Sequence, residues 1–255
     1  MTRVCAIVQA RMGSQRLPGK VLAAIGRQSM LAHVVERAAA CAAVDQVVIA
    51  TGDGADDDPI ARAAAALGVA CWRGSPHDVL ARYRGAADAH AADVVVRLTA
   101  DCPLLDPDVI GRVIAALTAG RAPCDYASNT FVRTYPRGLD AEALWRDTLH
   151  RLDRLARTAA HREHVTALVH DRPDWFVTTS VEGDLDASDL RLTVDTAADL
   201  ELVRRIHARL APTATTPHAA IVALLRREPA LVAINAAIEQ RSWRHAEQRA
   251  EVGRG

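Results

Sequence analysis

Short runs rich in Val and Ile alternate, over the first half of the chain, with longer alanine-rich stretches whose apolar positions recur at helical spacing. The runs at residues 4–8, 46–50, 70–72, 93–98 and 126–128 predict strands. The intervening stretches at 30–42, 59–67, 79–90 and 108–119 predict helices. Strands of about five residues and helices of about twelve fit βαβ units around a parallel sheet. Asp106-Pro107-Asp108 is a helix start, with an Asx cap ahead of a proline in the first turn.

After residue 125 the rhythm changes. Residues 129–140 are polar and turn-rich, and helices are expected at 141–156 and 162–171. Strands are expected at 175–180 and 190–194, then a helix at 197–210 carrying Leu200, Val203, Ile206 and Leu210 on one face. A Pro/Thr linker at 211–217 leads to a helix at 219–227 and a final one from Pro229 into a charged tail. No repeats are visible. The simplest organisation is one catalytic domain over 1–211, with 212–255 as its C-terminal helical arm.

Composition narrows the function classes. At 255 residues the chain can bury a large core, and 50% hydrophobic with 24% charged residues is ordinary for a globular protein. Lys plus Arg and Asp plus Glu are both 31, so no basic excess recommends a nucleic-acid partner. Five cysteines stand singly, with no C-x-x-C pair, which fits a reduced cytoplasmic setting better than a disulfide framework or zinc knuckle. Cys102 reads as a small packing residue rather than a nucleophile. No apolar run approaches the ~20 residues of a membrane span, and no secretory signal is read.

The chemistry begins where the first strand ends. Val8-Gln9-Ala10-Arg11-Met12-Gly13-Ser14-Gln15-Arg16-Leu17-Pro18-Gly19-Lys20 places three cations, two glycines and a serine at a strand's carboxyl end. Arg11, Arg16 and Lys20 supply charge, while Gly13 and Gly19 let backbone N–H groups approach phosphate oxygens. Val21 follows Lys20, so this is not the common phosphate loop with its magnesium-binding hydroxyl, nor is it a dinucleotide fingerprint. A metal would have to be held elsewhere.

Two strand-end aspartates are candidates. Asp101 follows Val94-Val95-Val96-Arg97-Leu98-Thr99-Ala100, and Asp195 follows Leu190-Arg191-Leu192-Thr193-Val194. Each alone also reads as a turn or helix cap. Together with the cationic loop they form what transfer from a nucleoside triphosphate requires: cations for phosphates, hard carboxylates for Mg2+. The reaction expected is in-line attack of an acceptor oxygen on the α-phosphate. A metal-bound acceptor hydroxyl would need no dedicated base.

Other positions are less sharp. Thr51, in Ala50-Thr51-Gly52-Asp53, reads equally as a base or ribose contact and as a turn. Ser75 and Asp78 read as helix caps or nucleoside contacts. The loop through Arg137, Asp140 and Glu142 suits an acceptor, with Arg137 a natural partner for a carboxylate. His161 and His164 lack zinc-site spacing, so acceptor contacts from Arg162 and His164, with Glu163 as a cap, are the readings taken.

The pattern A-R-x-x-S-x-R-L-P-G-K resembles the opening motif of cytidylyltransferases that activate acidic sugars with CMP. Its full spelling through Val21 and Leu22 is most similar to the spore-coat polysaccharide biosynthesis protein F family. Later blocks are similar too, in family order: Asp57-Asp58-Pro59, Arg73-Gly74-Ser75, Arg97 to Leu104, Gly138 to Glu142, Arg162 to Thr166, Val194-Asp195-Thr196 and Glu228 to Asn235. The resemblance implies a nucleotide-diphospho-sugar transferase fold, α/β and Rossmann-like, three-layered around a mostly parallel mixed sheet. It implies CTP as donor, Mg2+ as cofactor, pyrophosphate release and a homodimer. By the same carry-over Arg11, Ser14, Arg16 and Lys20 hold the triphosphate, Asp101 and Asp195 bind magnesium, and the backbone near Ala10 with residues near Thr51 and Thr99 reads the base.

Two departures stand out. Thr99-Ala100-Asp101 replaces the Gln-Gly-Asp of octulosonate enzymes, and Arg137 stands where an acidic residue is common. The acceptor expected is a nonulosonate or similar 2-keto acid for a surface glycan. A phosphonate acceptor, a glycosyltransferase of the same fold and a non-catalytic nucleotide-binding module are the alternatives.

Overall fold

The computed structural model describes residues 2–119 and 123–240. β1 (Val4–Gln9) is buried along its length, and its side chains alternate between two cores. Val4, Ala6 and Val8 face one, Cys5 and Ile7 the other. That is why the strand reads as a continuous apolar run rather than an alternation. A 3-10 turn (Lys20–Leu22) and a small hairpin follow, β2 (Ala24–Ile25) with β3 (Gln28–Ser29), turned by Gly26 at φ 62°. The hairpin was not expected from sequence; two-residue strands leave no periodicity to read.

The expected βαβ units then appear in order. They are α1 (Met30–Ala39), β4 (Gln46–Gly52), α2 (Asp58–Ala66), β5 (Ala70–Gly74), α3 (Val79–Ala89), β6 (Val94–Thr99) and α4 (Pro107–Thr118). Local chemistry fixes their starts. The Ser29 hydroxyl accepts from Ala32 N–H at 3.2 Å, Asp78 from Ala81 at 2.9 Å and Asp106 from Asp108 at 2.8 Å.

The second half differs from expectation in four places. Residues 141–156 divide into β8 (Glu142–Trp145) and α5 (Arg146–Leu155), after β7 (Tyr126–Ser128). Ala143 and Leu144 favour helices in isolation, but both are fully buried between β6 and β7, and sheet pairing overrides propensity there. The helix expected at 162–171 is broken into α6 (Ala159–Glu163) and α7 (Ala167–Asp171), with Val165 at φ 54° in the break. The strand expected at 175–180 is only β9 (Thr178–Ser180), preceded by a 3-10 turn. Residues 190–194 make a single bridge, Arg137 to Arg191, instead of a strand. Gly138, at φ 103°, lies so close that an added Cβ would stand 2.4 Å from the Thr193 nitrogen. α8 (Ala197–Leu210) begins in a Thr196–Asp199 capping box. α9 (His218–Arg227) and the one-turn α10 (Pro229–Val232) close the described chain; the charged tail lies outside it.

The sheet order is β5-β4-β1-β6-β8-β7-β9, in which only β8 runs against its neighbours. α1, α2, α4, α8 and α9 cover one face, and α3, α5 and α7 the other. This is the three-layer α/β architecture expected. Ile221, Leu224, Leu225 and Leu231 of the arm sit in the same core as β1. Among the described residues no helix is long and apolar enough to cross a membrane.

Candidate active site

The carboxyl ends of β1, β4 and β6 open on one edge, the ligand side of parallel α/β sheets. The loop after β1 is closed by its own backbone: Met12 C=O accepts N–H bonds from Ser14 at 2.9 Å and Gly19 at 3.0 Å. Gly19, at φ 70°, takes the left-handed turn that launches Lys20 inward.

Lys20 ends at the centre of the site. Its ammonium donates to Asp101 Oδ2 at 2.9 Å, Asp195 Oδ1 at 2.8 Å and Val194 C=O at 2.7 Å. These three bonds use all three of its protons. Arg16 reaches Asp195 Oδ2 at 2.9 Å, and Arg191 joins Asp195 to Asp199 at 2.8 and 2.9 Å. Thr99 donates to Asp101 Oδ1 at 2.6 Å. Segments 20, 99–101 and 191–199 therefore meet in one charge network, as the sequence reading required.

Electrostatics keep Lys20 and Asp101 ionised. Burial alone would lower the Lys20 pKa, but the charges of Asp101 and Asp195 outweigh it and raise the ammonium. Burial likewise opposes the Asp101 charge, yet Lys20 and the Thr99 hydroxyl hold its carboxyl below the usual range. Cys102 is pushed well up by burial and by Asp101, so it stays a thiol packed behind the site. Two carboxylates that already grip one ammonium between them are spaced to hold a single compact cation, and their hard oxygens suit a divalent ion.

A cleft of about 440 Å³ adjoins β8, lined among others by Arg97, Arg133, Arg137, Asp140, Glu142 and His164. Arg97 is paired with Glu142, which also accepts from Tyr126 at 2.8 Å. Arg133 grips Asp140 through two bonds of 2.6 and 3.0 Å. Arg137 makes no ion pair among the described residues. Burial and the neighbouring Arg133 charge lower its pKa, but an arginine stays a cation regardless.

The remaining expected positions fall into three groups. Gly13 and Ser14 lie in the loop, where the Ser14 hydroxyl accepts from Leu17 N–H at 3.4 Å. Ala10 is tied to β4 by a 3.0 Å bond to Ala50 C=O, and the Thr51 hydroxyl is fully buried behind it without a partner. Ser75 is exposed, and Asp78 is the helix cap. Arg11 stands apart, 3.4 Å from Glu163, with 54% and 44% of the two side chains exposed; such a pair holds little energy. Arg162 is drawn away from the cleft: it bonds Asp78 at 2.9 Å and Asp153 at 2.7 Å, tying α6 to α3 and α5. His161 meets Asp171 at 3.1 Å.

Arg97, Arg133, Arg191, Asp199 and Asp57 were not singled out from sequence as site residues. A charged residue inside an apolar strand, as in Val-Arg-Leu or Leu-Arg-Leu, was the available signal.

An α/β sheet that presents a cationic loop and two carboxylates at one edge defines a nucleotide-transferring enzyme. The chain belongs to the cytidylyltransferase family, whose profile matches residues 5–209. It is 31% identical over 237 residues to the spore coat polysaccharide biosynthesis protein SpsF of Bacillus subtilis (strain 168), covering 90% of this chain and 96% of that protein. The solved structure of a cytidylyltransferase from Leptospira borgpetersenii is similar with a TM-score of 0.88 and 30% identity, over 94% of this chain and all of that one. CMP:2-keto-3-deoxy-manno-octonic acid synthetase, solved in complex with CTP, shares the fold with a TM-score of 0.64 at 21% identity, over 82% of this chain and 99% of that one.

Proposed function

We propose that this cytidylyltransferase transfers CMP from CTP to an acidic sugar, a nonulosonate or similar 2-keto acid, for a surface glycan. One observation carries the reading. Lys20, Asp101 and Asp195 converge at the mouth of the loop, beside a cleft in which Arg137 is a cation without an ion pair among the described residues. Arg16, Lys20 and the loop N–H groups receive the triphosphate, with Arg11 free to leave its weak exposed partner and join them. Asp101 and Asp195 hold Mg2+, which supplies the positive charge that stabilises the transferring and departing phosphates. The acceptor oxygen bonds to the α-phosphorus as the bond to the bridging oxygen breaks. Pyrophosphate carries off the electron pair and the acceptor's proton passes to water.

The acceptor class follows from charge. Arg97 and Arg133 are each matched by a carboxylate, so the cleft offers net attraction for one anionic group at Arg137. A monocarboxylate fits that count better than a phosphonate dianion. The Bacillus relative's name as a spore coat polysaccharide biosynthesis protein supports the pathway class, and the CTP complex of the octonic acid synthetase supports the donor. Unpaired cysteines suit a reducing cytoplasm, and a homodimer is the assembly the resemblance implies.

Pyrophosphate release tests this directly, with CTP, ATP, GTP and UTP crossed against keto-acid sugars and phosphonates in the presence of Mg2+. CTP with a 2-keto acid sugar is the expected active pair. Turnover with UTP or ATP but not CTP removes the donor. Phosphonate turnover removes the acceptor class, and nucleoside diphosphate release from a nucleotide sugar would make the enzyme a glycosyltransferase.

A further inference from the structure

Asp57 belongs to the Asp57-Asp58-Pro59 block and touches none of the charge network around Lys20. It is nonetheless 7% exposed, and no cation bonds it among the described residues. Its carboxylate is spent on two backbone donors. Oδ1 accepts from Met12 N–H at 2.7 Å, and Oδ2 from Gly52 N–H at 3.1 Å. A buried carboxylate is costly to place; the Arg82 charge nearby favours it, and the two amide bonds fix where it sits.

The two donors lie on different elements. Gly52 is the last residue of β4, while Met12 is the residue whose carbonyl closes the loop onto Ser14 and Gly19. Asp57 therefore pins the knot of the loop to the end of a central strand. The neighbouring geometry is built around it: a Cβ on Gly52 would stand 2.3 Å from Asp57 Oδ2. Only a glycine lets the carboxylate reach both amides.

We propose that Asp57 is a positioning residue for triphosphate binding, holding the 12–19 loop in the shape that presents its free N–H groups and Lys20. The inference rests on the reading that this loop receives the triphosphate. It assigns Asp57 no contact with substrate.

Inorganic pyrophosphate and CTP, titrated calorimetrically into the full chain, test the inference. Asp57→Ala is expected to weaken both ligands on the order of 10–100-fold, since small misplacements of a binding group carry costs of that size. Asp57→Asn keeps one acceptor but turns an amide donor toward a second N–H, so an intermediate loss is expected. Gly52→Ala, which leaves the carboxylate but displaces it, should mimic Asp57→Ala and serves if that variant does not fold. Asp45→Ala is the structural control. Asp45 makes the same kind of bond, to Val4 N–H at 2.8 Å, just ahead of β4 at the far end of the sheet. It should lower the melting temperature and leave pyrophosphate affinity unchanged. Wild-type affinity in Asp57→Ala and Gly52→Ala, or equal losses in Asp45→Ala, overturns the positioning role while the proposed function stands. A wild-type chain that binds neither pyrophosphate nor CTP takes down both.

Discussion

The two ends of the site, side by side on the middle strands of the sheet, hold charge in opposite ways. At the β1–β6 end, Lys20, Arg16 and Arg191 are interlocked with Asp101, Asp195 and Asp199, and each Lys20 proton already has an acceptor within the protein. At the β8 end, Arg97 and Arg133 are closed off in pairs and Arg137 is left over. The first arrangement must exchange partners to bind a metal–triphosphate, so it suits a ligand that brings its own cation. The second offers a ready site for a single anion. On the proposed reading, the donor and acceptor sites differ in how much internal charge each ligand must displace.

The largest expected effect tests the interlocked end. Asp101→Asn and Asp195→Asn each remove a negative charge that holds Lys20 and would hold Mg2+. CMP transfer should fall on the order of 10²–10³-fold, the usual cost of a lost electrostatic group at a transferring centre. The two should differ in stability. Asp195→Asn weakens bonds to three cations, Lys20, Arg16 and Arg191, whereas Asp101→Asn weakens a bond to one cation, Lys20, besides those from the Thr99 hydroxyl and the Cys102 thiol. Thermal melts should therefore show the larger drop for Asp195→Asn. Near-normal turnover in either variant removes that carboxylate from the metal site.

Arg137→Ala tests the open end. Losing a hydrogen-bonding partner of a charged group costs about 1.5–3 kcal/mol, so the acceptor KM should rise about 10–100-fold. The KM for CTP should not move, because Arg137 meets the Arg191 segment only through backbone bonds that alanine keeps, and its side chain bonds none of the groups around Lys20 among the described residues. A shift in CTP KM instead would mean that the two ends act as one site, and the contrast fails.

The same contrast governed what the sequence disclosed. β1, β4 and β6 pair in parallel and are buried on both faces over most of their length, so they are largely apolar; their positions to within two residues, and the aspartate after β6, could be read directly. β8 could not. Its Glu142-Ala143-Leu144-Trp145 has helix-favouring composition, and its extended form comes from two partners far away in sequence. The break at Val165 was hidden for a related reason. Thr166 bonds the buried Glu142, so the helix interruption answers to a contact 24 residues away. Arg162 carried the right charge in the right block, but Asp78 and Asp153 claim it, and neither neighbour is visible from local pattern. Charge is legible in sequence; which partner takes it is decided by packing.

The smallest effect lies outside both ends, where α1 meets α8. His207 is pushed down to about 4 by burial, then by the charges of His33 and Arg37. Its Nε2 is buried without a partner among the described residues, and its ring lies 4.5 Å from that of His33. The unfolded chain takes up a proton near the ordinary value of 6.5, while the folded one resists until about 4. Between those values the unfolded state binds more protons, so stability falls as the pH is lowered through that window. Asp101 does not contribute there. Its folded pKa lies below the ordinary 3.8, so the stability it adds is present above that value and lost only below it. Melting temperature should therefore decline from pH 6.5 to 4, and His207→Leu should flatten the decline. A wild-type profile already flat across that range, or an unchanged slope in His207→Leu, would place the acid-sensitive contact elsewhere and return suspicion to the two charged ends of the site.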